Sequence, residues 1–227
     1  MAKIFITTVP FADKDRLTLD LMEDAGIEYL INPLNKKLTE NELSEMVTDF
    51  DVIIAGTEPI TSKVMNAATK LKHISRVGIG LDNVDLIAAR ERGIKVSYTP
   101  DAPAPSVAEL TICLMLCLLR SVHVANSEMH NGKWHRFFGR RLAEVTIGII
   151  GVGRIGTRVL NRTKSFGTPR ILVNDLKPNL ELDRKFKLEW ASKEKIFQEA
   201  DVISLHLPLT HLTKNMVRKE HLLLMKK

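Results

Sequence analysis

The feature that most constrains this chain is an apolar run that leads directly into a glycine-rich turn. Val145–Ile150 has the sequence Val-Thr-Ile-Gly-Ile-Ile, and Gly151-Val-Gly-Arg-Ile-Gly156 follows at once. A helical pattern and a second apolar run come next, so the segment predicts strand, turn, helix and strand. Gly151 permits the tight turn, Gly153 lets backbone approach a pyrophosphate, and Gly156 lets the helix pack close to the strand. The pattern predicts a dinucleotide-binding turn.

Two charged residues refine the predicted ligand. Arg154 lies within the turn, where it can reach a phosphate, and the helix N-terminus adds N–H groups and the positive end of the helix dipole. Asp175 ends the second apolar run, where a carboxylate accepts hydrogen bonds from a ribose diol and repels a 2′-phosphate. This favours NAD over NADP as the cofactor. The alternatives are a glycine turn without a ligand and surface roles for Arg154 and Asp175.

Short β-branched runs alternate with helical patterns along the chain. This order predicts an α/β fold with parallel sheets, because a crossover helix joins parallel strands. Thr39 and Glu42 form a predicted capping box. The predicted strands are Lys3–Val9, Glu28–Ile31, Asp51–Ala55, His73–Val77, Lys95–Tyr98, Val145–Ile150, Arg170–Asp175 and Ala200–Thr210, and the predicted helices include Asp13–Ala25, Thr39–Thr48, Thr61–Ala68, Asn83–Arg92 and Thr157–Phe166.

A proline-rich segment marks the predicted domain boundary. Thr99–Pro105 holds three prolines in seven residues, and proline removes backbone donors and fixes φ. Residues 1–100 and 101–227 are therefore the two predicted domains. Ser106 is the predicted N-cap of a long apolar helix, with Glu109 at its third position, and a further helical stretch extends to about Asn131.

Composition excludes several classes of protein. The chain has 227 residues, of which 44% are hydrophobic, so it can bury a core and is not disordered. The longest near-apolar stretch, Leu110–Leu119, has ten residues, whereas a membrane-spanning helix needs about 20. The N-terminus lacks the pattern of a signal peptide, so we expect a cytoplasmic protein without a membrane partner.

Most of the net charge of +6 comes from one segment. Lys133–Lys164 contains eight basic residues and one acid, Glu144. Such a cluster is typical of a nucleic-acid surface, a site for a phosphate-bearing ligand, a subunit interface or a solvated face. No helix-turn-helix or zinc-finger spacing accompanies it, and no stacking aromatics are interleaved between Arg154 and Lys164. We therefore expect no nucleic-acid partner.

Two cysteines and one histidine are candidate reactive side chains. Cys113 and Cys117 lie four residues apart in the apolar helix. They are too few for a disulfide framework or a metal site, so we expect small core residues and no metal. His206 lies at a strand end, where ligands bind in parallel sheets. A structural hydrogen bond is the favoured role of its imidazole, and catalysis is the alternative.

Four segments together resemble the D-isomer-specific 2-hydroxyacid dehydrogenase family, which includes phosphoglycerate dehydrogenase. They are Arg76–Asp85, Ser106–Glu109, Asn131–Trp134, and Gly151–Gly156 with Asp175 and His206–Thr210. The resemblance implies a flavodoxin-like substrate domain and a Rossmann NAD-binding domain, both incomplete at the C-terminus. It also implies an oxidoreductase that interconverts a D-2-hydroxy acid and its 2-keto acid. Subunits are expected to pair as a homodimer through the NAD domain, with residues 121–142 as the dimerisation arm.

The resemblance also carries binding roles onto individual residues. Val77, Gly78 and Ile79 are expected near the substrate carboxylate, because backbone N–H groups at a glycine turn suit an anion. The alternative for Gly78 is a plain strand-to-helix turn. The expected cofactor-binding residues are Ile79, Val107, Gly151, Gly153, Arg154, Ile155, Gly156, Asp175, Leu207, Pro208 and Thr213. For Leu207 and Pro208 the alternative is an ordinary exit from the strand.

The sequence departs from the family pattern after the Leu-Pro-Leu-Thr segment. In the family an Arg, a Glu and a His follow that segment, whereas this sequence ends at Lys226-Lys227. We therefore expect no catalytic residue in this chain and no appreciable turnover from the chain alone. The alternative function is a non-catalytic NAD-binding or interaction protein.

A second departure concerns the substrate. The segment Gly56–Ile60 offers Glu58 and no Arg or Lys. A carboxylate that faces a phosphate is unfavourable, which argues against phosphoglycerate as the substrate. Lys63 and Arg76 are the candidate replacements for a phosphate-binding residue.

Overall fold

The proline-rich segment lies where the structure divides into two units. The computed structural model describes residues 2–167 and 170–226. The first unit is Met1–Ala102 and the second unit is Pro103–Lys227. Met1 and Lys227, the outer bounds of the predicted domains, lie outside the described residues.

The first unit is a parallel sheet of five strands with helices on both faces. The strands are β1 (Lys3–Ile6), β2 (Glu28–Ile31), β3 (Val52–Ala55), β4 (His73–Arg76) and β5 (Lys95–Tyr98), in the order β2-β1-β3-β4-β5. The helices are α1 (Leu17–Asp24), α2 (Glu40–Met46), α3 (Ser62–Ala67) and α4 (Leu86–Glu91). The largest core joins α2, α3 and α4 to one face, and α1 packs on the other. All carboxyl ends of the strands therefore meet at one edge.

Side-chain caps decide where two of these helices begin. Thr39 and Glu42 form the predicted capping box of α2, which is confirmed. The prediction that α4 begins at Asn83 is wrong, because the Asp85 carboxylate accepts the Ala88 N–H at 2.9 Å and caps the helix. Asn83 is thereby left in the preceding turn.

The predicted apolar face of α1 is also wrong. In the predicted helix Asp13–Ala25 the apolar residues Leu17 and Leu21 recur at a helical period, which predicts that they face the core, but both are exposed, and Leu19 and Met22 are buried instead. The helix begins only at Leu17, and the residues before it form turns rather than a first helical turn. The periodicity identified a helix but assigned the wrong face to the sheet.

The second unit is a parallel sheet of four strands. The strands are β6 (Thr146–Ile150), β7 (Arg170–Asn174), β8 (Glu189–Trp190) and β9 (Val202–Leu205), in the order β8-β7-β6-β9. The helices are α5 (Ala104–Leu119), α6 (Val122–His130), α7 (Arg154–Thr163), α8 (Leu180–Phe186), α9 (Lys193–Glu199) and α10 (Lys219–Leu224). The predicted α/β fold class with two parallel sheets is confirmed.

Helix α5 corrects two predictions. Its N-cap is Pro103 rather than Ser106, so Pro105 lies in the first helical turn, where the N–H that proline lacks would have no intrahelical acceptor in any case. Cys113 is exposed and Cys117 is half-buried, so Cys113 is not a core residue. Burial, and then the neighbouring Cys113 thiol, raise the pKa of Cys117.

The buried face of α5 is narrow, and its other face is apolar and exposed. Ala104, Ala108, Ile112 and Met115 are buried, whereas a stripe of leucines faces outward (Leu110, Leu114 and Leu118). No single helix among the described residues is long and apolar enough to cross a membrane. Helices α5 and α6 pass that test only as a pair, and they are bent by 67° at their junction.

Candidate functional site

The glycine-rich turn of the second unit joins β6 to α7. Gly151 has φ +95°, in the left-handed region, and a Cβ there would lie 2.5 Å from the His206 carbonyl oxygen. A Cβ on Gly156 would lie 2.1 Å from the Gly151 carbonyl oxygen. Backbone fills the space at both positions. Only glycine therefore permits the turn to close beside β9 and lets α7 start so near to β6.

Gly153 differs from its two neighbours. A Cβ there would meet no atom within 4 Å, so open space lies beside it. Gly153 is the N-cap of α7, and helix N-termini present N–H groups without an intrahelical acceptor. Open space beside a helix N-terminus is an arrangement that suits a pyrophosphate.

Asp175 follows β7, and both oxygens of its carboxylate accept backbone hydrogen bonds. Oδ2 accepts the Val152 N–H at 2.8 Å, and Oδ1 accepts the Leu176 N–H at 2.6 Å. The carboxylate therefore holds the glycine turn from the neighbouring strand. Carboxylate oxygens accept more than one hydrogen bond each, so the same group can still accept from a ribose diol. The turn and this acid together fit a dinucleotide.

The chain after β9 provides an apolar wall in the same unit. Leu207, Pro208 and Thr213 line a cavity of about 330 Å³ with Leu205, Leu209, Asn215, Met216 and Val217. The Thr213 hydroxyl donates to the Pro208 carbonyl at 2.6 Å and accepts the Thr210 N–H at 2.8 Å, which ties the loop together. Three of the predicted cofactor residues thus share one cavity.

Two further predicted residues lie on helices of this unit. Val107 is half-buried in the second turn of α5. Ile155 lies in the first turn of α7 and packs against the core. The structure therefore places Ile155 directly beside the glycine turn in sequence and space.

His206 has a structural partner. Its Nε2 lies 2.9 Å from the Ser204 hydroxyl, and burial lowers the pKa of the imidazole below its usual value. Its backbone N–H donates to the Ile150 carbonyl at 2.8 Å, and its own carbonyl abuts Gly151. The residue therefore contributes to the wall of the glycine turn through its backbone.

A second glycine turn follows β4 in the first unit. The Val77 N–H donates to the Ala55 carbonyl at 2.8 Å, and the Gly78 N–H donates to the Thr99 hydroxyl at 2.7 Å. Within the described residues, the N–H groups of Ile79 and Gly80 have no protein acceptor. Of the predicted trio, only Ile79 thus has an N–H group without a protein acceptor among the described residues, and Gly80 adds a second that the sequence analysis missed.

Two side chains beneath this turn hold it in place. The Arg76 guanidinium is buried, donates to the Val77 carbonyl, and lies 2.2 Å from where a Gly78 Cβ would be. The Asn83 amide accepts from Arg76 Nε at 3.3 Å and donates to the carbonyls of Gly56 and Glu58 at 3.2 and 2.7 Å. Asn83 therefore joins the turns after β3 and β4. Sequence analysis missed this role, although Asn83 lies within the Arg76–Asp85 motif.

The expectation that Glu58 faces a substrate is wrong. Glu58 is 2% exposed, and its Oε1 accepts the Gly56 N–H at 2.8 Å and a bond from the Thr7 hydroxyl. The carboxylate points into the protein because these two donors compensate its burial. Lys63 also has a partner, since its Nζ donates to the Asn41 side chain at 2.6 Å.

Several members of the basic segment form ion pairs. Arg140 pairs with Asp201 at 2.9 Å, Arg162 pairs with Glu109 at 2.7 Å, and Arg141 pairs with Glu144. The Arg141 guanidinium lowers the pKa of Glu144 below its usual range. Part of the charge of this segment is thereby compensated within the second unit.

The family model that describes the D-isomer specific 2-hydroxyacid dehydrogenase NAD binding domain matches residues 112–227, about half of the chain. The match includes β6, the glycine turn, α7 and Asp175. The chain belongs to the D-isomer specific 2-hydroxyacid dehydrogenase family. The predictions of family and of NAD as the cofactor are confirmed by this match.

Known proteins of this family resemble the chain over nearly its whole length. A D-3-phosphoglycerate dehydrogenase of Methanocaldococcus jannaschii is 41% identical over 100% of this chain and 42% of its own length. A hydroxypyruvate reductase of Thermotoga maritima is 38% identical over 85% of this chain and 62% of its own length. A solved 3-phosphoglycerate dehydrogenase of Entamoeba histolytica with bound NAD+ is 30% identical, with a TM-score of 0.81 over 99% of this chain and 68% of that chain. The chain thus spans less than two thirds of these curated relatives.

Proposed function

We propose that this dehydrogenase-family chain provides the cofactor-binding and acid-binding parts of an NAD-dependent oxidoreductase that interconverts a D-2-hydroxy acid and its 2-keto acid. The observation that carries the proposal is the Gly151–Gly156 turn held by Asp175 through the Val152 N–H. The relatives' names, which include hydroxypyruvate reductase and D-3-phosphoglycerate dehydrogenase, support this reaction class.

In this proposal each binding residue has a defined task. Gly151, Gly153 and Gly156 shape the turn for the pyrophosphate, with Arg154 and Ile155 at the start of α7. Asp175 accepts hydrogen bonds from the adenosine ribose. In the second unit, Val107 would contact the nicotinamide, and the apolar wall of Leu207, Pro208 and Thr213 would cover the adenosine end.

The acid would be held by backbone donors. We assign the substrate carboxylate to the turn at Val77, Gly78 and Ile79, with the N–H groups of Ile79 and Gly80 as the two donors. NAD, when bound, supplies the hydride acceptor. Donors that are fixed by Thr99, Arg76 and Asn83 need no rearrangement to bind an anion, which lowers the entropic cost of binding.

Calorimetry with NADH and NADPH tests the cofactor half of the proposal. We expect this chain to bind NADH and to discriminate against NADPH, and Asp175→Asn to reduce that discrimination about tenfold because it removes the repulsive charge. Glu181→Gln makes the same charge change on an exposed residue of α8 and should leave the discrimination unchanged. Absence of NADH binding by the folded chain would overturn the proposal.

A homodimer is part of the same proposal, with residues 121–142 as the arm. None of the residues of α6 is buried, and Trp134 and Phe138 are 85% and 102% exposed. Exposed aromatic side chains of this size are typical of interfaces. Sedimentation velocity should show a dimer that Trp134→Ser with Phe138→Ser dissociates. A monomer at all concentrations would contradict this part.

We also propose that the protein acts in the cytoplasm, because an NAD-linked reaction needs access to the cellular NAD pool. Fractionation of cells that express the native gene tests this location.

A further inference from the structure

We infer that the carboxyl edge of the first unit selects acids with a single anionic group, so that the substrate is a small unphosphorylated 2-hydroxy or 2-keto acid. The inference rests on the proposed function, in which the turn after β4 holds the substrate carboxylate. It names the substrate class of that site. Three observations on the first unit carry it.

The first observation is that two backbone donors at this turn match one carboxylate. The N–H groups of Ile79 and Gly80 have no protein acceptor within the described residues, whereas those of Val77 and Gly78 are engaged. Two neighbouring N–H groups suit the two oxygens of one carboxylate. A phosphate dianion needs further donors, and proteins usually provide them with arginine or lysine side chains.

The second observation is that Arg76, which belongs to the same turn, is already engaged. Its side chain is buried, and it donates to Asn83 Oδ1 at 3.3 Å and to the Val77 carbonyl. Swinging the guanidinium out toward a ligand would break these bonds and leave Asn83 and the Val77 carbonyl without their donor. Arg76 therefore supports the turn from below and does not serve a second anion.

The third observation is the charge of the surrounding loops. Residues 56–61 and 77–85 contain three acids, Glu58, Asp82 and Asp85, and no lysine or arginine. The Glu58 side chain is buried, and its hydrogen-bond donors are a hydroxyl and a backbone N–H rather than a lysine or an arginine. A second anionic group on the substrate would approach acidic loops that offer no lysine or arginine to compensate its charge.

Cations on the segments after β1 and β3 have partners or acidic neighbours. Lys63 donates to Asn41 at 2.6 Å, and Arg16 pairs with Asp20 and Glu23 at 3.4 and 3.2 Å. Lys14 lies between Asp13 and Asp15 in sequence. The edge thus accepts one negative charge through backbone donors and disfavours a second.

Binding measurements on the chain saturated with NADH test the inference. The probes are hydroxypyruvate and 3-phosphohydroxypyruvate, which differ by one phosphate group. Calorimetry gives the affinities, and nitrogen-15 chemical shifts of the Gly78 and Gly80 amides show whether each acid binds at this turn. We expect hydroxypyruvate to shift the Gly80 amide and the phosphorylated acid to bind at least about tenfold more weakly.

Two variants sharpen the test. Thr57→Arg places a guanidinium on the exposed loop after β3, and Glu58→Gln replaces the buried carboxyl group by an amide whose oxygen can still accept from Thr7 and Gly56. Each variant should reduce the ratio between the affinities for hydroxypyruvate and 3-phosphohydroxypyruvate, and Thr57→Arg should reduce it by about tenfold. Thr48→Arg adds the same charge before β3, at the opposite end of the sheet, and should leave the difference unchanged.

The outcomes separate this inference from the proposed function. Equal or tighter binding of the phosphorylated acid at the Gly80 amide would overturn the inference and leave the proposed function in place. If neither acid shifts that amide while NADH binds, the assignment of the turn to the substrate fails and the inference fails with it.

Discussion

The two glycine turns, Gly151–Gly156 in the second unit and Val77–Gly80 in the first, are held in place in different ways. Each follows a buried parallel strand and presents backbone N–H groups at the carboxyl edge of its sheet. In the second unit α7 begins within the turn, at Arg154, so the helix itself supplies the donors. In the first unit α4 begins only at Leu86, and side chains must hold the turn instead.

This difference explains why one turn is easier to recognise than the other. The turn of the second unit depends on steric gaps that only glycine leaves, and glycine spacing is visible in a sequence. The turn of the first unit depends on Arg76, Asn83 and Thr99, of which Thr99 lies 21 residues from Gly78. Bonds between distant residues leave no local pattern.

The largest expected effect comes from Gly156→Ala in the second unit. Its Cβ would lie 2.1 Å from backbone that cannot move independently, so we expect a loss of about 3 kcal/mol or more in the free energy of unfolding. Gly153→Ala is the matched control, because its Cβ meets nothing within 4 Å. It should leave stability nearly unchanged yet weaken NADH binding. Denaturant unfolding and calorimetry measure both, and equal stability of the two variants would contradict the steric account.

Gly78→Ala probes the turn of the first unit. Gly78 has φ +146°, and its Cβ would lie 2.2 Å from Arg76 Nη1, so we expect a loss of about 2 kcal/mol. The loss should be confined to the first unit, because the contacts of Gly78 with Arg76 and Thr99 lie within that unit. Hydrogen exchange followed by mass spectrometry resolves the two units. Faster exchange across the sheet of the second unit would show that the turns are not independent.

Asp201 tests how much a charged side chain, rather than the glycine turn, stabilises the second unit. Burial raises the pKa of this carboxyl, but bonds from Arg140, the Thr146 N–H and Lys226 outweigh burial and lower it to about 2 from 3.8. Since the folded pKa is the lower one, the stabilisation is complete above pH 3.8 and is lost as the pH falls toward 2. It amounts to roughly 2 kcal/mol.

Unfolding curves between pH 5 and 2 check this expectation. Asp201→Asn should flatten the pH dependence of unfolding of the second unit in that window. Asp49→Asn removes an exposed carboxylate that pairs with Lys70 in the first unit, and it should change little. A flat pH dependence in the unmodified chain would refute the role of Asp201.

The smallest effect is expected from Asn83→Ala. The variant leaves two carbonyls and Arg76 Nε without a partner, which should cost about 1–2 kcal/mol in the first unit. Asn66→Ala removes an exposed amide that accepts from Arg92 and should cost less. The Gly80 amide resonance should move in Asn83→Ala and stay in place in Asn66→Ala. If both variants behave alike, Asn83 does not position the turn.

Local sequence patterns predicted which helices and turns form better than they predicted which face of a helix is buried. The Thr39–Glu42 capping box and the Gly151–Gly156 turn were both identified from spacing alone, because each depends on residues that lie within six positions of one another in the sequence. The buried face of α1 was assigned wrongly, because Leu17 and Leu19 are both apolar and only packing against β1 decides between them. The orientation of Glu58 was also predicted wrongly, because its donors Thr7 and Gly56 follow two different strands, β1 and β3.

The sequence by itself determined the family, the parallel α/β architecture and the glycine turn of the NAD binding domain. Each of these follows from the chemistry of nearby residues, namely glycines without a Cβ, β-branched strands and an acid at a strand end. Only the tertiary structure decided which N–H groups remain available at Ile79 and Gly80, and that Arg76 and Glu58 point inward. Those outcomes depend on hydrogen bonds that join the carboxyl ends of β1, β3, β4 and β5. A linear pattern does not specify which side chain will bond to which backbone group across a sheet.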